Sequence, residues 1–233
     1  MFQWNDTRIA YMDRAARHTQ YYQMIAAHIG KQLIDRDCVC DVGCGLGYLS
    51  LALAQYAGQV EAIDTCEAAL DILRANCTDK ENIKPVHADI HTWNAEPYDA
   101  MVFCYFGRIG EIIKIARRLC KGRLYIVKGR SNRHLFSKDG EHAHRETAEM
   151  AARWLEEQGI AYEQMPLDLE LGQPFHSRED AEQFAALYGK SGDATWIADR
   201  LGADPSGQYE WYLPIPKPVT IFCLENKNFR IGE

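Results

Sequence analysis

The chain has 233 residues, of which 47% are apolar and 25% charged, and its formal net charge is −7. That length and balance fit one large α/β domain with a real core, and no apolar run approaches a membrane span. The acidic balance speaks against broad nucleic-acid binding. The start, Met1-Phe2-Gln3-Trp4, has neither a basic segment nor an apolar one, so no secretory signal is expected and a cytoplasmic location is.

In chain order, Tyr22, Ile25, Ile29 and Leu33 form an apolar stripe that predicts a helix over 7–33, interrupted by Gly30. A strand over 38–42 runs into the glycine turn Asp41-Val42-Gly43-Cys44-Gly45-Leu46-Gly47, and a helix over 46–57 ends at Gly58. A strand over 60–64 ends on Asp64, and Thr65 is a fair N-cap for a helix over 66–77. A short strand over 84–88 precedes Asp89-Ile90. Tyr98-Asp99 opens a strand over 100–106, whose unbroken apolar run fits burial on both faces. A helix over 109–119 and a strand over 123–128 follow.

Residues 131–143, with Asn132, Arg133, His134 and His142, read as an exposed loop leading to a helix over 145–158 that Gly159 ends. A strand from 161 to about 171 comes next, yet the last strand, 219–224, lies roughly fifty residues further on, a connection long enough to carry function or an interface. The intervening segment, about 173–217, holds Pro174-Phe175-His176-Ser177 and a helix over 177–188. Ser177-Arg178-Glu179-Asp180 can act there as a capping box, and a second helical piece with Trp196 and a proline-rich return over 214–218 follow.

Eight cysteines lie mostly inside predicted strands and helices, as reduced core residues do, and no C-x-x-C pair gives the usual zinc spacing. Charge is uneven: residues 107–138 hold ten Lys/Arg and one acid, Glu111. A solvated helix face accounts for this, and so does a patch facing an acidic substrate.

Glycines after a first strand let the backbone take positive φ and lie bare against a ligand, at the edge where nucleotide-like cofactors bind in α/β sheets. A dinucleotide fingerprint fails, because its third glycine falls on Tyr48 or Ser50 in either register, and no phosphate-loop lysine motif occurs. The pattern acid-x-Gly-x-Gly-x-Gly, from Asp41 to Gly47, resembles motif I of class I S-adenosylmethionine (SAM)-dependent methyltransferases. Asp64 is similar to the family's motif II acid, and His87-Ala88-Asp89-Ile90 to its adenine segment. The resemblance covers about residues 38–128. It implies an α/β fold: a doubly wound, seven-stranded, mostly parallel Rossmann-like sheet with an N-terminal helix and a helical insertion before the last strand. The chain divides, as one domain, into a cap (1–36), a SAM-binding core (37–130) and a substrate-side half (131–233). The implied cofactor is SAM, held by Asp41, Gly43, Cys44, Gly45, Gly47, Asp64, Thr65, Asp89, Ile90 and Cys104. Tyr11, His18, Tyr21 and Tyr22 become candidate lid residues.

The acceptor is narrowed by exclusion. After the fourth strand stands Cys104-Tyr105-Phe106-Gly107, not the Asn/Asp-Pro-Pro-aromatic of DNA amino-methyltransferases, and Phe103, not proline, precedes Cys104. A small-molecule acceptor is the natural residual, with Tyr22, Tyr105, Lys128 and Arg130 on its side. Lys128 and Arg130 suit a carboxylate or phosphate of an anionic acceptor. No motif identifies a base; His134, His142, His144 and His176 are candidates that also read as surface residues. Glu141, His142 and His144 give weak metal spacing, and no metal is expected. A different group transfer from SAM, a non-catalytic SAM-binding module and an NAD-type oxidoreductase are the alternatives; a homodimer is left open.

Overall fold

Apolar strand runs alternating with amphipathic helices can satisfy their backbones only in a sheet covered on both faces. The computed structural model describes residues 4–34, 37–132, 145–189 and 193–229 and has that form. After α1 (Asp6–His18) and α2 (Tyr21–Gly30) come β1 (Cys38–Val42), α3 (Tyr48–Leu53), β2 (Gln59–Asp64), α4 (Glu67–Asn76), β3 (Ile83–His87), β4 (Tyr98–Cys104), α5 (Ile109–Leu119), β5 (Cys120–Gly129), α6 (Ala148–Glu157) and β6 (Glu163–Leu167). The insertion holds β7 (Gln173–Phe175), α7 (Arg178–Tyr188), α8 (Asp193–Ala198), β8 (Gly202–Ala203) and β9 (Trp211–Leu213), before β10 (Val219–Glu225) and α9 (Asn226–Phe229).

The main sheet runs β3-β2-β1-β4-β5-β10-β6, with β10 antiparallel to both neighbours and the other pairs parallel. Strand order reverses between β1 and β4, so their C-terminal ends open the crevice where α/β sheets bind ligands. One apolar layer, with Phe103, Ile112, Ile126 and Phe222, fills the α5/α6 face; the other, with Ile25, Ile29, Leu53 and Tyr125, fills the α2/α3 face.

The expected N-terminal helix is two helices. Thr19 turns extended, and its N–H and hydroxyl both donate to the Ala15 carbonyl, at 3.0 and 2.9 Å, which ends α1. The buried stripe of α2 includes Ile25 and Ile29, as expected, but begins at Tyr21, and Tyr22 and Leu33 are half-buried. Gly30 is explained by contact: a Cβ there would stand 2.3 Å from the Tyr56 ring. The insertion is not purely helical, because β7, β9 and β8 form a separate antiparallel sheet. It has its own core of Phe175, Phe184, Ile197 and Leu213, into which α1 sends Tyr11. Ser177 caps α7, accepting from the Asp180 N–H at 3.2 Å, but Asp180 does not complete the box; it turns to Arg14, Tyr11 and the His176 N–H instead.

Candidate active site

Register positions the site. Val42 of β1 is level with Ile63 of β2 and Phe103 of β4. The next residues, Gly43, Asp64 and Cys104, therefore leave the sheet side by side. Asp64 in turn pairs with His87 of β3, which brings Asp89 to the same edge two residues later.

The turn after β1 needs its glycines. Gly43, Gly45 and Gly47 have φ of 68°, 54° and 75°, in the left-handed region that side chains disfavour. A Cβ on Gly47 would stand 2.4 Å from Leu73 of α4. The turn is tied to β2: Gly43 and Cys44 N–H groups donate to the Ile63 carbonyl at 2.8 and 3.1 Å, and Gly45 N–H to Asp64 Oδ2 at 2.8 Å. Asp64 Oδ1 accepts from Cys66 N–H at 2.8 Å and starts α4. Cys66, not the expected Thr65, is the N-cap and caps with no side-chain bond, its own N–H being held by Asp64; Thr65 is exposed. Each carboxylate oxygen keeps a second lone pair. The half-buried Asp64 can therefore hold the turn and still accept from ligand hydroxyls, and this donor set fits a nucleoside. The Phe106 and Trp4 rings lie over the turn, 2.8 and 3.1 Å from where Cβ atoms of Gly43 and Gly45 would be.

Asp41 points inward. It is 1% exposed, and its Oδ2 accepts from the Ser50 hydroxyl at 2.6 Å, pinning β1 to α3. Burial pushes its carboxyl up to about 6, against the Ser50 bond and with the charge of Asp64. The thiols of Cys44 and Cys104 are likewise driven up by burial and then by Asp41, Cys104 to about 12, so both are neutral. Asp89 is exposed and its Oδ1 accepts from His91 N–H at 2.9 Å, the turn-capping alternative to a ligand contact. Ile90 is buried in the core, and Arg118 donates to its carbonyl at 2.7 Å.

On the side expected to take the acceptor, Tyr105 is a non-glycine residue at φ 56°, a strained position directly after β4. Its hydroxyl lies 2.7 Å from that of Tyr21. Tyr22 meets Tyr21 edge-on and stacks at 6.1 Å on Tyr48, the residue after the last glycine of the turn. The ammonium of Lys217 sits 4.6 Å from the Tyr105 ring centroid and 5.3 Å from that of Tyr21. Sequence reasoning passed over Lys217, Phe106 and Trp4. Only the Pro216-Lys217-Pro218 frame could have drawn attention to the lysine.

Two expectations for this side need correction. Lys128 does not offer a free cation: it is 3% exposed, donates to the Phe106 and Gly107 carbonyls at 3.0 and 2.7 Å, and pairs with Glu146 at 2.9 Å. Arg130 is paired with Asp168. Nor do Tyr11 and His18 face the crevice. Tyr11 donates to Asp180, and His18 Nε2 meets Asp204 Oδ1 at 2.8 Å, so both join α1 to the insertion. Within the basic run, Arg117 donates to the Phe229 carbonyl, Arg118 to residues 90–93 and Arg123 to Gln32, tying elements together. His176 is exposed, its ring 4.8 Å from that of Tyr209. Arg133, His134, Glu141, His142 and His144 lie outside the described residues.

Comparison with known proteins agrees with the geometry. Residues 39–122 match the family model described as a methyltransferase domain. No curated protein matches the sequence. Among solved structures, a protein of Bacillus halodurans C-125 is similar with a TM-score of 0.60 at 16% identity, over 88% of this chain and 98% of that one. Magnesium protoporphyrin IX methyltransferase of Synechocystis PCC 6803, with S-adenosylhomocysteine bound, gives 0.53 at 13%, over 95% and 89%. Precorrin-6y C5,15-methyltransferase of Geobacter metallireducens gives 0.53 at 14%, over 87% of both chains. At these identities the likeness is one of fold. Among the described residues no helix is long and apolar enough to cross a membrane.

Proposed function

Starting from a chain that carries a class I SAM-dependent methyltransferase domain, we propose that it moves a methyl group from SAM to a small-molecule acceptor. The observation that carries this reading is the shared edge. The Asp64 carboxylate grips the left-handed glycine turn, and Cys104 and Tyr105 leave the sheet on the other side of that turn, where a nucleoside and an acceptor can meet. In this reading Asp64 accepts from ribose hydroxyls, and the bare backbone of Gly43, Cys44, Gly45 and Gly47, with Asp41 behind it, lines the methionine end. Asp89 and Ile90 border the adenine. SAM supplies a methyl group already activated by its sulfonium. The protein therefore has to orient the acceptor and exclude water, and the Phe106 and Trp4 rings over the turn are placed for the second task. We take the whole chain as one domain, with residues 131–233 on the acceptor side.

Incubation with methyl-labelled SAM and a protein-free metabolite extract tests the reading. Label is expected in a low-molecular-weight product; label only in added RNA or protein, or none at all, overturns it. Label placed instead in the aminocarboxypropyl group distinguishes the other transfer chemistry. Asp64→Ala removes two charge-assisted backbone contacts and any ribose contact. It is expected to weaken S-adenosylhomocysteine binding about a hundredfold by calorimetry.

A further inference from the structure

We propose that Lys217 is the anion-binding residue of the acceptor site: its ammonium, with the Tyr21–Tyr105 hydroxyl pair, receives a carboxylate of the substrate at the end of β4. The inference rests on the small-molecule reading above and gives the acceptor a chemistry.

Among the described residues no carboxylate pairs with Lys217, whereas Lys128 has Glu146 and Arg130 has Asp168. A half-buried cation without an anion is costly, and two ring faces offset that only in part. The position is nonetheless rigid. Pro216 and Pro218 restrict the backbone on either side, and Lys217 N–H donates to the Leu169 carbonyl at 2.7 Å. The neighbouring hydroxyl pair adds a donor, because two phenols joined by one hydrogen bond have one O–H left over. An ammonium over two rings whose hydroxyl pair keeps a spare proton supplies the two donor types that the oxygens of a carboxylate take. The strained Tyr105 holds this spot next to Cys104, on the edge that Gly43 and Asp64 share.

The charge is pH-dependent. Burial lowers the Lys217 amine to about 8, with the nearby Arg145 acting in the same direction and Cys104 in the other. The phenols of Tyr21 and Tyr105 are raised far above neutrality by burial, and Cys104 is neutral. Burial also lowers the Lys128 amine, and the Glu146 carboxylate works against that. Lys217 faces the two rings and changes charge near pH 8: anion binding there is present below that pH and lost as the pH rises through it.

The test is titration of the full chain with benzoate, and with benzamide as its neutral isostere, with and without S-adenosylhomocysteine, by ligand-observed NMR. Benzoate is expected to bind the wild type and to weaken about tenfold to a hundredfold in Lys217→Met. Lys217→Arg should retain binding, benzamide should be indifferent to all changes, and wild-type benzoate binding should fade above pH 8. S-adenosylhomocysteine affinity is expected to be the same in all variants. Equal benzoate binding in wild type and Lys217→Met, or no binding of benzoate to the wild type, overturns the proposal. Loss of S-adenosylhomocysteine binding by the wild type, with benzoate still dependent on Lys217, would instead overturn the methyltransfer reading and leave the anion site standing.

Discussion

The cofactor edge and the acceptor edge of this sheet are built in opposite ways. The hydrogen bonds that tie the glycine turn to the neighbouring strand are short in sequence and involve backbone: Gly45 and Asp64 are 19 residues apart, and Gly43 donates to Ile63, next to last in that strand. At the acceptor edge Tyr21, Tyr105 and Lys217 come from three remote stretches, the first two 84 residues apart, and meet only through side chains. Two lysines mark the contrast. Lys128 is buried and satisfied and belongs to the scaffold, while Lys217 is half-buried, rests on rings and belongs to the mouth. An identical charge thus has a structural role in one place and a recognition role in the other, and its partners decide which.

The largest expected effect sharpens that contrast. Lys128→Met leaves Glu146, whose side chain is 12% exposed, without its counter-ion. It also frees the Phe106 and Gly107 carbonyls. Breaking a buried pair from one side costs about 3–5 kcal/mol, so urea unfolding should show a loss of that order. Lys217→Met should unfold within about 1 kcal/mol of wild type, because it gives up only the ring contacts of the ammonium and leaves no carboxylate without its partner. If Lys217→Met were equally destabilising, the division into scaffold and mouth would fail.

The same contrast explains what was legible in the sequence. Left-handed turns demand glycine, so Gly43, Gly45 and Gly47 show themselves in one dimension. Asp64 and Asp89 follow because strand ends are easy to place. Apolar Ile112, Ile113 and Ile115 placed α5 at 109–119, as found, and the seven-stranded, mostly parallel sheet followed from the family resemblance. Lys128 was misjudged because a lysine at a strand end has the same letter whether or not Glu146 lies across from it. Tyr11 and His18 were misplaced because Thr19 breaks the helix and turns α1 toward the insertion. Lys217 escaped notice because its rings come from elsewhere in the chain. The sheet of β7, β9 and β8 was missed because strands of two or three residues carry almost no periodicity.

A middle-sized effect probes the cofactor edge. The carboxyl of Asp41 titrates at about 6 in the folded chain because burial disfavours its charge. The folded pKa is above the unfolded one, so folding favours the protonated acid. The cost is absent below pH 4, grows as pH rises from 4 to 6 and is constant above. The shift corresponds to about 3 kcal/mol at neutral pH. Asp41→Asn keeps an acceptor for Ser50 and removes the charge. In the absence of cofactor it should therefore be stabilised at pH 7 by up to that amount and lose the advantage at pH 4. Melting curves at the two pH values check this; a gain independent of pH would mean that the charge is not its source.

The smallest effect lies at the joint between α1 and the insertion. Arg14 pairs with Asp180, each side chain 17% exposed, and Tyr11 and the His176 N–H share the same carboxylate. Burial pushes Asp180 up, but Arg14, His176 and Tyr11 together outweigh it and hold the acid below its ordinary range. A depressed carboxyl stabilises the fold above its unfolded pKa and ceases to as pH falls through the folded one. Arg14→Ala should therefore cost about 1–2 kcal/mol at pH 7, the worth of a charge-assisted contact that is partly exposed. Part of that difference should disappear in acid, and proteolytic cutting near α7 should speed up. Affinity for S-adenosylhomocysteine should not change, because the glycine turn and Asp64 do not depend on this joint. If cofactor affinity fell together with insertion stability, the two edges would be coupled through α1, and the separation drawn between them would have to be given up.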